Sequence, residues 1–280
     1  MSEPIKAVQT AFDSFKRKII EINYLQGITK SIYEKHLLEL NQREKGEQDL
    51  PRKSFRNVNF LLYSIGQGKL VHCESNQFNT QEMFDLAAEL FNKQYQLLLV
   101  DAYEAFKKYL EAAYVELSKA NHKFYIKKFH NKINNDFYKF DSLLFLKKLH
   151  SEIPQINIII DIRNEQDHRQ PNHDRTLFLI ALIEKLRHHV VHTNGFVIDK
   201  QKSISDVFQK IGLTKNQNYV DEFNYYFGIN KHSNRICLLE VYDSLSPQVL
   251  NTYNDRFNNL IRMLISYTSF VNGYIINQLK

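Results

Sequence analysis

The chain has 280 residues, with 37 Lys and Arg against 31 Asp and Glu and a net charge of +6. Only 8 Gly and 5 Pro leave too few turn-formers for a many-stranded sandwich or barrel. No GxGxxG or GxxxxGKS/T loop is present, which argues against dinucleotide enzymes and P-loop NTPases. The two cysteines, Cys73 and Cys237, cannot build a disulfide framework or a Cys-based zinc site, and read as reduced core thiols. MSEPIKAVQTAF carries no signal-peptide core, and no run nears the ~18 apolar residues of a membrane span. The expectation is a soluble, cytoplasmic protein with no membrane partner.

Residues 5–43 read as two helices, with Ala7, Phe12, Phe15, Ile19 and Ile20 at helical spacing and Gly27 between them. NQREKGEQDLPRK (41–53) reads as a charged loop or linker. VNFLLYSIGQGKLVHC (58–73) reads as two strands around Gly66-Gln67-Gly68. These segments suggest an N-terminal helical and hairpin region at 1–78, followed by a helical bundle at 79–280.

A long helix is expected from Thr80, its N-cap, with Leu99, Ala102, Tyr103, Phe106, Tyr109, Leu110, Ala113 and Leu117 forming one apolar stripe. Residues 138–150 and 155–167 read as further helices. PNHD (171–174) is a turn in which Asp174 can cap the helix TLFLIALIEKLRHHVVH (176–192), and Asn194-Gly195 ends it. Residues 196–245 mix short helices with a strand in RICLLEVY. A last helix is expected from Ser246-Pro247, with Leu250, Tyr253, Phe257, Leu260, Leu264, Tyr267 and Val271 on one face. The fold class is therefore mainly α, a helical bundle with a small α+β N-terminal region.

Five histidines, His168, His173, His188, His189 and His192, fall within 25 residues. In EKLRHHVVHTNG (184–195), Arg187, His188 and His192 combine a permanent cation with two imidazoles. Arg offers phosphate a planar fork of donors. An imidazole can deprotonate a ribose 2′-OH or protonate a leaving 5′-oxygen at neutral pH. Together they suit metal-free cleavage of RNA. On a helix, positions five apart lie about 140° apart, whereas i and i+4 share a face. Arg187 and His192 therefore need a cleft that wraps the helix, such as one between two copies of the chain. The alternative is a buried structural arginine with histidines at a helix end.

The segment resembles the R-x(4–6)-H signature of the HEPN superfamily, with polar His188 after the arginine, apolar Val190-Val191 before the histidine, and Thr-Asn-Gly after it. LLLVDAYEAFKKYLEAAYVEL (97–117) is similar to an early helix of such domains. The resemblance spans roughly residues 80–280. It implies a helical bundle and a metal-independent endoribonuclease leaving a 2′,3′-cyclic phosphate, without a cofactor. It also implies a homodimer that pairs two motifs in one cleft, and a toxin or phage-defence effector with an antitoxin or defence-system partner protein. Other members of the superfamily are noncatalytic, so a module binding RNA, nucleotide or protein is the alternative.

A second match, Arg163, Asn164 and His168, has an acidic interior and ranks behind the first. His188 and His192 also have zinc-ligand spacing, but HHVVH lacks the glutamate of HExxH; Asp167, His168, His173 and Asp174 could supply oxygen and nitrogen ligands from the turn. No native metal site is expected. Residues 119–148 are basic, with Lys123, Lys127, Lys128 and Lys132 among their lysines and only Asp136 and Asp141 as acids. Tyr125, Phe129, Phe137 and Tyr138 are interleaved. The strip reads either as an RNA track with aromatics for base stacking or as helices with lysines outside and rings in the core.

Overall fold

The computed structural model describes residues 2–47, 56–64, 69–130, 140–156, 173–229, 232–242 and 253–280, without the side chains of 46–77, 130, 173–174, 229, 232, 240–242 and 253–254. Its order is α1 (Glu3–Glu47), β1 (Arg56–Ser64), β2 (Lys69–Phe78), α2 (Thr80–Ala120), a 3-10 turn (His122–Phe124), α3 (Lys127–His130) and α4 (Ser142–Glu152). Then come α5 (His173–Thr193), α6 (Lys200–Ile211), α7 (Gln217–Tyr225), β3 (Phe227–Ile229), β4 (His232–Ile236), β5 (Glu240–Tyr242), β6 (Tyr253–Asp255) and α8 (Arg256–Gln278). The fold is mainly α, and its strands make two-stranded antiparallel pairs. No helix among the described residues is long and apolar enough to cross a membrane.

Two compact units form, one from residues 25–94 and the other from residues 1–24 with 95–280. In the first, β1 and β2 pair as the expected hairpin, with Arg56 opposite Phe78 and Ser64 opposite Lys69. Helix α2 begins on a capping box. The Asn79 side chain accepts from Glu82 N at 2.9 Å, and Glu82 Oε2 accepts from Asn79 N at 2.8 Å. Asn79 is therefore the cap, and Thr80 is the first helical residue.

Helix α1 is continuous, where two helices and a linker from residue 41 are expected. Gly27 is exposed, lacks a positive φ and stands clear of any neighbour, so nothing there turns the chain. A lone glycine costs a helix only about 1 kcal/mol relative to Ala, and Asn41–Glu47 supplies Gln, Arg, Glu and Lys to continue it. Gly27→Ala is expected to raise stability by about 1 kcal/mol in urea unfolding. The buried face of α1 differs in part from expectation. Phe12, Phe15 and Ile19 are buried with Ile5, Val8 and Ile22, while Ala7 and Ile20 face solvent.

In the larger unit the stripe of α2 from Leu99 to Leu117 is buried at every expected position. Phe12 and Phe15 of α1 meet Tyr109 of α2, with ring centroids 5.6 and 6.2 Å apart. Helix α5 packs against α4, α6, α7 and α8. Its first half is apolar nearly all round, and Leu177, Phe178, Ile180, Ala181, Leu182, Ile183 and Leu186 are buried. A helix of that kind belongs at the centre of a core. Arg175 forks onto Glu222 of α7 through Nε at 3.2 Å and Nη2 at 2.8 Å, which fixes the entry of α5.

Asp174 lies inside α5 rather than before it. The last helix starts ten residues beyond Ser246, at Arg256. Asp255 caps it by accepting from Asn258 N at 2.8 Å, and Tyr253 lies in β6, paired with Tyr242. The competing principle is strand pairing, which takes Tyr253–Asp255 before the helix can nucleate. Phe257, Leu260, Leu264, Tyr267 and Val271 hold the expected buried face of α8. Ser246, Pro247 and Leu250, and residues 157–167 of the helix expected over 155–167, lie outside the described residues.

Candidate functional site

The candidate site is the polar C-terminal half of α5, where Glu184 ends the apolar run. The helix stops as expected at two left-handed residues, Asn194 (φ 54°) and Gly195 (φ 78°). Gly195 N donates to His189 O at 3.0 Å, and Thr193 Oγ1 donates to the same carbonyl at 2.9 Å. The turn is then sewn into the core. Ile236 N donates to Gly195 O at 2.8 Å, and Gln96 Nε2 of α2 donates to Ile236 O at 2.7 Å. The end of α5 is thus held to β4 and α2 at once.

On this anchored end, the His188 and His192 rings lie with centroids 4.5 Å apart, tilted 48° to each other. Both are exposed, and neither ring hydrogen-bonds to a described residue. Partial burial first, then the charges of His192, Lys185 and Arg187, hold the His188 pKa below the usual imidazole value. His188 therefore favours its neutral form, in which one ring nitrogen keeps a lone pair. It borders a cavity of about 200 Å³ between α5 and α6. Lys185 pairs with Asp206 and Lys210 with Glu184 across that cavity, each at 2.6 Å. Next to it, His189 Nε2 meets Ser203 Oγ at 3.0 Å. Burial, assisted by Lys185 and His188, pushes the His189 pKa down to about 4. His189 is a neutral docking group for α6.

Arg187 turns away from the imidazole pair. Its Nη2 lies 2.6 Å from Glu104 Oε1 of α2, and the two side chains are 29% and 35% exposed. This matches the azimuth argument, since i and i+4 share the face and i+5 leaves it. The pair is neither a fully buried core arginine nor a free cation.

Arg163, Asn164, His168 and Lys132 lie outside the described residues, as do the side chains of His173 and Asp174. Lys123, Lys127 and Lys128 are exposed on the 3-10 turn and α3, elements separate from α5. Lys123 Nζ donates to Gln278 Oε1 at 2.9 Å. Phe129 is buried, 5.0 Å from the Tyr114 ring and 5.3 Å from that of Phe140, so it packs the core and does not offer a face to a base. Cys237 is a free, buried thiol, as expected. Among the described residues no three His, Cys, Asp or Glu side chains group to hold a metal ion.

Glu104, Asp206 and Lys210 are the partners that sequence reasoning missed. Glu104 left one trace, a carboxylate between the core positions Tyr103 and Phe106. Asp206 and Lys210 flank the buried face of an amphipathic helix, where a charge carries no signal of its own. In comparisons with known proteins, no family model, curated sequence or solved structure matches the chain.

Proposed function

We propose that this chain is a metal-independent endoribonuclease of the HEPN type. The observation that carries the reading is the pair of exposed imidazoles, 4.5 Å apart on a fixed helix end. Cleavage of RNA within its own strand needs two proton transfers. One imidazole takes the proton of the 2′-OH as that oxygen bonds to phosphorus. A second donates a proton to the 5′-oxygen as its bond to phosphorus breaks. His192 is assigned general acid–base work, and His188 is its partner in the pair. Arg187, on the flank and partly exposed, stabilises charge on the phosphoryl oxygens with donors not committed to Glu104. No metal or cofactor enters these steps. Lys123, Lys127, Lys128 and Lys132 are the outlying RNA contacts, through phosphate rather than through stacking. The resemblance supplies the setting, a toxin or phage-defence effector in the cytoplasm restrained or triggered by a partner protein.

The Arg187–Glu104 pair favours a second reading, a noncatalytic module that binds RNA, nucleotide or protein. There the arginine serves the bundle, and RNA is bound but not cut. Matched single-stranded RNA and DNA in EDTA separate the two. The ribonuclease cuts RNA alone, because DNA lacks the attacking hydroxyl. Intact RNA overturns the reading.

Because Arg187 and His192 leave opposite sides of α5, a complete site is assigned to a symmetric homodimer with the C-terminal end of α5 near the axis. Light scattering at micromolar concentration is expected to give twice the chain mass. A monomer that cleaves RNA at full rate contradicts this arrangement.

A further inference from the structure

We propose that His188 and His192 chelate a divalent transition-metal ion, with Zn²⁺ the type, and that the bound ion acts as an inhibitor. Two imidazoles at i and i+4 present nitrogens from one helix face, the spacing used by helical zinc ligands. Zinc–nitrogen bonds of about 2.0–2.1 Å at a tetrahedral angle place the two nitrogens about 3.4 Å apart. Rings with centroids 4.5 Å apart reach that separation by rotation about their own side-chain bonds. Both rings are exposed and free of hydrogen bonds to described residues, so chelation breaks no bond among these. Their backbone is already fixed by the turn at Asn194-Gly195, so little ordering is needed on binding. The end of a helix also favours a cation, through the dipole and its last carbonyls.

The number of ligands defines the kind of site. Structural zinc uses four protein ligands, and catalytic zinc uses three with a water. Here the described residues offer no group of three. Water completes the coordination, and Lys185 and Arg187 oppose the added charge. The ion is therefore exchangeable, and neither holds the fold nor activates a hydroxide. What it does is occupy the lone pair on each ring that proton transfer uses. Cu²⁺ binds more tightly than Zn²⁺, and Mg²⁺, which prefers oxygen, does not compete. The inhibitory role rests on the ribonuclease reading, whereas the chelate does not.

The test is calorimetric titration of the full, tag-free chain with zinc chloride, copper chloride and magnesium chloride. Zn²⁺ and Cu²⁺ are expected to bind and Mg²⁺ is not. His188→Ala and His192→Ala are each expected to weaken Zn²⁺ binding by at least the ~10- to 100-fold that loss of an outer-shell partner costs. His122→Ala, at an exposed histidine elsewhere, keeps the parent affinity. Parent-like binding by His188→Ala and His192→Ala overturns the chelate, as does a parent that binds no Zn²⁺. Zn²⁺ binding that leaves RNA cleavage untouched overturns the inhibitory role. Zn²⁺ binding by a parent that cuts no RNA supports the chelate and counts against the ribonuclease reading alone.

Discussion

His192→Ala and His188→Ala are each expected to slow RNA cleavage by about 100- to 10,000-fold, the range for loss of one proton-transfer group. Helical content and melting temperature should stay close to those of the parent, because both rings are exposed and make no hydrogen bond to a described residue. Arg187→Ala is expected to fall in the same kinetic class with a moderate loss of stability. Its pair with Glu104 is 29% and 35% exposed, yet Glu104 Oε1 and Arg187 Nε are themselves buried, so the attraction is only partly screened. The expected loss lies between the ~1 kcal/mol of an exposed pair and the ~3–5 kcal/mol for breaking a buried one. Arg187→Ala is thus a usable kinetic variant. Arg163→Ala and His168→Ala should cost far less. Single-turnover rates with circular dichroism melts on the five variants decide the matter. Inactive Arg163 and His168 variants beside active Arg187 and His192 variants would move the site to the other motif.

Gly195→Ala is expected to lower stability by about 2–5 kcal/mol in urea unfolding. Two costs add. A left-handed backbone at φ 78° costs a side-chain-bearing residue about 1–2 kcal/mol. The new methyl would also lie 2.6 Å from Gln96 Oε1, and overpacking of that kind costs about 1–3 kcal/mol. Gln96 is buried and cannot give way cheaply, because its Nε2 holds Ile236 O at 2.7 Å. Asn194→Gly, at φ 54°, relieves a milder strain and is expected to be neutral or slightly stabilising. A parent-like midpoint for Gly195→Ala would show that this turn does not seat the end of α5.

What the sequence makes legible follows from short-range physics. The stripe of α2 from Leu99 to Leu117 is readable because burial on one helix face leaves a period in the chain, and every position is buried. Asn194-Gly195 is readable because few residue pairs accept two left-handed conformations in a row. The pairing of His188 with His192, and the departure of Arg187 from their face, follow from helix geometry alone. Long-range competition stays hidden. Nothing near Tyr253 signals that Tyr242 will draw it into a strand, and nothing near Arg187 points to Glu104. Gly27 misleads because punctuation by glycine depends on backbone angle, which composition does not encode. Asn79 with Glu82 spells a capping box one residue before Thr80, a signal the sequence does carry.

The most direct test of the central claim is end-group analysis of RNA cut by the purified protein in EDTA. Attack by the neighbouring 2′-oxygen, with the His188–His192 pair moving protons, leaves a 2′,3′-cyclic phosphate or its 3′-phosphate product and a free 5′-OH. That is the expected result, and it is expected to disappear in His192→Ala. A 5′-phosphate end, or cleavage that returns only with an added divalent ion, would contradict the account.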